Sequence, residues 1–200
     1  MRRPRRPGAA DDAAVIEGSW REPERFAVLF DRHAPHIYRY LARRAGPGVA
    51  DDLVAETFLA AFAKRDRYDL SYSDARPWLY GIATNLVGQH RRDEVRQYQI
   101  RQAATAAPEV PGHADRVAAD VTAQAARPLL DAALAALAAG DRDVLLLIAY
   151  EQLTYQEVSR ALGIPVGTVQ SRLHRARAKV RQVLAGTDAA ATYEELTSNE

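Results

Sequence analysis

Apolar side chains recur at three- and four-residue spacing along most of this chain, which is the period of an amphipathic α-helix. The first clear stripe comprises Phe26, Leu29, Phe30, Ile37 and Leu41, and it stops at Gly46-Pro47-Gly48, a combination that breaks helices. No segment shows the sustained alternation of a β-strand. Alanine, the best helix former, supplies much of the hydrophobic fraction of 48%. The pattern predicts an all-α protein.

Two further helices are predicted in the first half of the chain. The second apolar stripe comprises Val54, Phe58, Ala61 and Phe62, and Asp51 or Asp52 is expected to cap its helix. Residues 65–76 have no clear period and are predicted to form a loop. Pro77 then opens a helix whose apolar positions are Trp78, Leu79, Ile82, Ala83, Leu86 and Val87.

Residues 153–182 have the pattern of two helices joined by a tight turn. Thr154 and Glu157 form a capping box at the start of the first helix. Gly163 can adopt the positive φ that ends a helix, and Pro165 fits the first turn of the next one. The residues expected to face the core are Val169, Leu173, Ala176 and Val180. This segment predicts a helix-turn-helix.

The second helix of this motif is basic. No Asp or Glu occurs between Val158 and Thr187, and the helix carries Arg172, His174, Arg175, Arg177, Lys179 and Arg181. A solvated amphipathic helix that happens to be basic is the alternative interpretation. The capping box, the turn glycine and side chains able to contact bases favour a DNA-recognition helix instead.

Composition limits the remaining functions. The formal net charge is only +1, so the chain is not a general polyanion binder and its basic character is local. It contains no cysteine, which excludes disulfides and thiolate metal sites. The basic N-terminus lacks the apolar stretch of a signal peptide, and no apolar run is long enough to span a membrane. We expect a cytoplasmic protein without membrane insertion.

The changes of pattern along the chain predict two small helical domains joined by a flexible linker. The apolar pattern is lost from about residue 103 to 126, where Pro108, Pro111 and Gly112 occur. A helical block over 129–137, broken at Gly140, precedes a helix that Asp141 is expected to cap. The predicted organisation is a mobile basic arm (1–22), a helical domain (23–100), a linker (101–127), a helix-turn-helix domain (128–185) and a polar tail (186–200).

Aromatic and basic residues alternate between residues 65 and 92. The aromatic members are Tyr68, Tyr72, Trp78 and Tyr80, and the basic members are Arg65, Arg67, Arg76, Arg91 and Arg92. Aromatic faces stack on unpaired bases while cations follow phosphates, which is typical of single-stranded nucleic-acid binding. The alternative is that the aromatics lie in the core and the arginines are solvated.

Three carboxylates cluster where the second predicted helix begins. Asp52 and Glu56 lie four residues apart on one helical face, near Asp51. No accompanying histidine or further carboxylate makes a metal site, so stabilisation of the helix N-terminus and a docking patch for a basic partner remain as interpretations. Neither a catalytic nor a metal-binding motif, nor a Gly-rich phosphate loop, occurs in the sequence, so no cofactor is expected.

Three segments together carry a resemblance to a known family. They are DDLVAETFLAAF, RPWLYGIATNLVGQHRR and LTYQEVSRALGIPVGTVQSRLHRARAKVRQ. With them the chain resembles a bacterial RNA polymerase sigma factor of the extracytoplasmic-function (ECF) group, in which regions two and four are joined by a linker. The likeness covers about residues 24–98 and 127–184.

The resemblance implies a non-catalytic initiation subunit that binds core RNA polymerase and promoter DNA. The β′ clamp and the β flap of the polymerase are the implied contacts, and an anti-sigma factor is an implied partner. The residues implied to bind core polymerase are Asp52, Leu53 and Glu56. Those implied in recognition and melting of the minus-ten element are Tyr72, Arg76, Asn85, Arg91 and Arg92. Those implied in recognition of the minus-thirty-five element are Gln170, Ser171, Arg172, His174, Arg175, Arg177 and Lys179.

Two other functions compete with this one. A conventional helix-turn-helix regulator would bind palindromic duplex DNA as a dimer without polymerase, and it would have no use for base-capturing aromatics. An enzyme built on Asp51, Asp52 and Glu56 would be stabilised by a divalent metal ion.

Overall fold

The computed structural model describes residues 11–104, 130 and 132–184. Within these ranges the regular structure is helical and contains no β-strand, which confirms the predicted all-α fold. The longer helices are α1 (Asp12–Gly18), α2 (Ala27–Ala45), α3 (Ala50–Ala63), α4 (Arg76–Ala104), α5 (Ala139–Ala149), α6 (Tyr155–Leu162) and α7 (Val166–Leu184). Short 3-10 turns lie at Pro23–Phe26, Pro47–Val49 and Arg65–Arg67.

The described residues divide into two compact units: the first contains residues 11–89 together with Arg160–Gly163, and the division along α4 falls after Gln89. The predicted domain bounds stay predictions. Residues 1–10 of the predicted arm, residues 105–127 of the predicted linker and the predicted tail over 186–200 lie outside the described residues.

The first unit is organised around the packing of α2 against α3. Leu29, Ile37 and Leu41 of α2 are fully buried, as the apolar stripe predicts. Phe30 is 44% exposed, although its ring still meets the ring of Phe58 edge-on at 5.0 Å. Helix α2 ends at Ala45, and the next residue, Gly46, has a φ of 96°, which favours glycine.

A packed helix occupies part of the predicted mobile arm, so that prediction is wrong for residues 12–18. Helix α1 is capped by Asp11, whose carboxylate accepts a hydrogen bond from the Ala13 amide. Ala13 and Ile16 are buried, and Asp12 is buried with hydrogen-bonding partners. Only two apolar side chains anchor this helix, which is too few to produce a visible period in the sequence.

Two predicted helix caps are also wrong. Helix α3 begins at Ala50 after Val49, so Asp51 and Asp52 lie in its first turn, where carboxylates favour the positive end of the helix dipole. Helix α5 begins at Ala139, because the Ala138 carbonyl accepts hydrogen bonds from the Asp141 and Arg142 amides at 3.0 and 2.9 Å. Gly140 therefore lies inside α5 and does not break it.

The second unit is organised around the packing of α5 against α7. Val144, Leu146 and Leu147 supply fully buried side chains from α5. The apolar run Val144–Ile148 of α5 is buried at all five positions, which explains why it shows no amphipathic period. No helix in the described part of the chain is long and apolar enough to cross a membrane.

Candidate nucleic-acid interface

The helix-turn-helix forms through the local interactions that its sequence predicts. The Thr154 amide donates to Glu157 Oε2 at 2.7 Å, and the Glu157 amide donates to Thr154 Oγ1 at 3.3 Å, which is the reciprocal capping box. Gly163 ends α6 with a φ of 63°. The Pro165 carbonyl accepts the Thr168 amide at 2.9 Å, so Pro165 lies just before α7 and not in its first turn.

Helix α7 separates a buried face from a polar one. The core residues are as predicted: Val169, Leu173, Ala176 and Val180, all 3% exposed or less. Among the predicted contacts, those that are exposed are Gln170, Ser171, His174, Arg175 and Lys179. Their spacing of one, three and four residues brings them to one side of the helix. Arg172 and Arg177 are only partly exposed and flank that side.

Arg175 forms an ion pair with Asp141, which the sequence analysis did not predict. Its Nη2 and Nε atoms lie 2.9 and 3.1 Å from the two carboxylate oxygens of Asp141, a bidentate pair. Hydrogen bonding to Asp141 and its negative charge raise the pKa of the Arg175 guanidinium. The two residues are 34 positions apart, and no local pattern links them.

The loop over residues 68–75 presents Tyr72 and folds around Tyr68. Tyr72 is 41% exposed. The Tyr68 side chain is buried, its hydroxyl donates to the Tyr72 carbonyl at 2.7 Å, and burial raises its pKa. Arg76, at the start of α4, pairs with Asp74 through Nη2 at 2.7 Å. The Asp74 carboxylate also accepts the Arg76 amide at 2.9 Å, which fixes the start of α4.

Helix α4 exposes Asn85 and Arg92 and leaves Arg91 partly exposed. The aromatic part of the predicted nucleic-acid cluster is divided between the core and the surface. Tyr80 is fully buried, with its ring 5.4 Å from that of Tyr40, and the ring of Trp78 packs 5.0 Å from that of Tyr68. Of the four aromatics in that cluster, Tyr72 is exposed, Trp78 is partly exposed, and Tyr68 and Tyr80 are buried.

The acidic surface of α3 consists of Asp51, Asp52 and Glu56, all exposed. Leu53 is only 2% exposed, so its side chain is unavailable for the implied polymerase contact without rearrangement. It belongs to the apolar stripe of α3. Among the described residues, no three His, Cys, Asp or Glu side chains are grouped so that they could hold a metal ion.

These features define a two-unit, all-α protein with a DNA-binding helix-turn-helix. Two family models match the sequence in the corresponding order: Sigma-70 region 2 over residues 29–97 and Sigma-70 region 4 over residues 127–180.

The sequences most similar to this chain include other RNA polymerase sigma factors. The chain is 34% identical to the ECF RNA polymerase sigma factor SigE of Mycolicibacterium smegmatis over 88% of its own length and 65% of SigE. It is 32% identical to the RNA polymerase sigma factor CarQ of Myxococcus xanthus over 80% of its own length and 88% of CarQ. The chain belongs to the ECF group of RNA polymerase sigma factors.

The fold has a counterpart among solved structures. The sigma factor RpoE of Bartonella quintana, solved in complex with the anti-sigma factor NepR, matches with a TM-score of 0.63 at 23% sequence identity. The match covers 80% of this chain and 97% of RpoE. At this identity the similarity concerns the fold.

Two glycines of the helix-turn-helix should respond oppositely to alanine. In Gly163→Ala the new side chain has open space but must adopt positive φ, which costs about 1 kcal/mol. In Gly167→Ala the side chain also enters open space, but in the first turn of α7, where alanine stabilises by up to about 0.5 kcal/mol. Native-state hydrogen exchange of the Leu173 and Val180 amides measures both changes. Changes of the same sign would contradict the assigned backbone conformations.

Proposed function

We propose that this sigma factor directs core RNA polymerase to promoters by contacting both promoter elements and by opening the duplex between them. The observation that carries the proposal is the polar side of α7, where Gln170, Ser171, His174 and Arg175 stand exposed over a fully buried apolar face. A helix docked in the major groove needs this arrangement.

On the minus-thirty-five element, Arg175 takes a guanine in bidentate fashion and Gln170 an adenine, while Ser171 and His174 contact neighbouring base edges. Arg172, Arg177 and Lys179 contact phosphates and set the register of the helix. Because Arg175 is paired with Asp141 in the free protein, its guanidinium exchanges a carboxylate for a base edge on binding.

On the minus-ten element, Asn85 hydrogen-bonds a base flipped from the non-template strand. Extruding a base costs a few kcal/mol, and an exposed amide that bonds its edge offsets part of that cost. Tyr72 is 41% exposed, and the Arg160 guanidinium lies 3.8 Å from the centroid of its ring, so a base that stacks on this face replaces that cation. Arg76, Arg91 and Arg92 follow the phosphates of the unpaired strand.

The polymerase contact uses Asp52 and Glu56, which lie one helical turn apart on the exposed side of α3. Carboxylates on a partner surface favour a basic patch, here on the clamp of β′, and the helix-turn-helix unit contacts the flap of β. Leu53 supports α3 from the core. The protein supplies no catalytic group of its own, and it acts in the cytoplasm, where polymerase and promoter DNA meet.

An anti-sigma factor is the proposed negative regulator. The structure of RpoE from Bartonella quintana was solved in complex with the anti-sigma factor NepR. Members of the family are commonly held inactive in this way, and the exposed surfaces that contact polymerase are natural targets for competition.

Run-off transcription with purified bacterial core RNA polymerase tests the function. We expect discrete new transcripts from fragmented genomic DNA only when the protein is present, and a shared pair of upstream motifs among them. Absence of such transcripts, together with tight binding of promoter fragments by the protein alone, would favour the conventional regulator. A control reaction without nucleotides measures promoter binding by the holoenzyme in the absence of RNA synthesis.

The proposed division of roles on α7 predicts two kinds of mutant. Arg175→Ala should weaken promoter binding by about 1–3 kcal/mol and relax specificity at one base pair. Lys179→Ala should weaken binding similarly on all sequences and reduce the salt slope by about one unit. Titration of holoenzyme against single-base promoter variants at several salt concentrations distinguishes them. Identical behaviour of the two variants on every promoter would reject the assignment.

The proposed role of Asn85 predicts a defect that is confined to opening of the promoter duplex. Asn85→Ala should lower transcription from duplex promoters by about tenfold, the effect of losing one hydrogen bond to the captured base. Transcription from a template with a preformed bubble should remain near the wild-type level. Gln89→Ala, at another exposed position of α4, is the matched control. Equal losses on the two templates would remove the base-capture role.

A further inference from the structure

We propose that helix α1 braces the 68–75 loop and that Asp12 is the positioning residue of this brace. The inference rests on the proposed function of the loop in minus-ten recognition. It concerns a helix that is packed where the sequence predicted a mobile arm.

Asp12 joins three parts of the first unit through one carboxylate. Its Oδ2 accepts the Ala75 amide at 2.9 Å and faces His33 Nε2 at 2.9 Å, while Arg32 pairs with Oδ1. Its own amide donates to the Ser73 carbonyl at 3.1 Å. Both carboxylate oxygens are therefore engaged, by α2 on one side and by the end of the loop on the other.

The burial of Asp12 makes these contacts specific. The residue is only 4% exposed, and an ionised carboxylate at such a position requires several compensating hydrogen bonds. Burial alone raises the pKa of the Asp12 carboxyl, but hydrogen bonds from His33 and Ala75 outweigh it and hold that pKa below its ordinary value. The negative charge is thus the stable form, and it favours one arrangement of its donors.

The opposite end of the loop is tied to the C-terminal end of α1. Trp20 Nε1 donates to the Arg65 carbonyl at 3.2 Å, and Arg65 Nε donates to the Ser19 carbonyl at 3.4 Å. The Arg65–Arg67 turn leads directly into the loop. Contacts from α1 and the residues just after it therefore hold the chain before the loop and at its end.

Inside the brace, the loop has little freedom of its own. Tyr68 donates its hydroxyl to the Tyr72 carbonyl, and Ser71 donates its amide to Asp69 Oδ1 at 3.0 Å. With both ends held, these hydrogen bonds restrict the position of Tyr72, whose ring is also contacted by the Arg160 guanidinium at 3.8 Å. A base-capturing loop gains affinity when it is ordered before binding, because less conformational entropy is lost.

The test uses Asp12→Ala, with Glu17→Ala as matched control. Glu17 is an exposed carboxylate in the same helix, so the control removes the same charge without touching the loop. In Asp12→Ala we expect the Ala75 amide to exchange with solvent about tenfold faster, as fits loss of a charge-assisted hydrogen bond. We expect transcription from duplex promoters to fall about tenfold, with little change on a preformed bubble.

Trp20→Phe keeps the inference testable if Asp12→Ala does not fold. Trp20 is 44% exposed, so phenylalanine removes the hydrogen bond to Arg65 without disturbing the core. Its effect should be smaller, about twofold to threefold on duplex opening, since the bond lost is neutral.

If the Ala75 amide of Asp12→Ala exchanged with solvent at the wild-type rate, the proposed brace would be wrong. Faster exchange without a change in duplex transcription would overturn its role in promoter opening. If even the wild-type protein yields no polymerase-dependent transcripts, the proposed function fails, and the exchange rates alone decide whether α1 holds the loop.

Discussion

Burial of one apolar stripe per helix is the interaction on which the other features of this protein depend. In α7 the stripe of Val169, Leu173, Ala176 and Val180 is almost completely buried against α5 and its surroundings. A helix has 3.6 residues per turn, so fixing this stripe also fixes the direction of every other side chain. The side chains proposed to contact DNA are exposed because their neighbours are buried. The same relation in α3 leaves Asp52 and Glu56 outside and places Leu53 inside.

Two of the arginines proposed to contact DNA are paired with aspartates in the free protein. Arg76 is paired with Asp74, and Arg175 is paired with Asp141. Both pairs lie at the surface but are partly buried, since the side chain of Arg76 is 27% exposed and that of Asp141 is 13% exposed. An arginine that leaves its carboxylate for a phosphate or a base therefore replaces one charge-assisted hydrogen bond with another. The pairs nevertheless restrict the rotamers of both arginines before DNA arrives. Such restriction reduces the entropy lost on binding.

In the first unit, the buried carboxylate of Asp12 orders the residues around it. The Asp12 carboxylate is more deeply buried than those of Asp74 and Asp141, and it is surrounded by donors from α2 and from the 68–75 loop. Removing one donor would leave a buried charge undercompensated, so the arrangement is cooperative. A surface loop thereby acquires a conformation set by residues more than fifty positions away in sequence.

The sequence by itself determined the helical fold, the helix-turn-helix with its capping box, and the buried face of α7, because these depend on short-range spacing and local hydrogen bonding. The family resemblance added the assignment of sigma regions two and four and the candidate contacts to polymerase and promoter DNA. Only the tertiary structure decided that α1 is packed, that Asp141 pairs with Arg175 and that Tyr68 and Tyr80 of the aromatic cluster are core residues. These features join residues distant in sequence, and a carboxylate gives no local sign of which arginine or amide it will meet. The proposed DNA contacts follow the helix period, whereas the proposed brace exists only because folding brings Asp12 to the end of the loop.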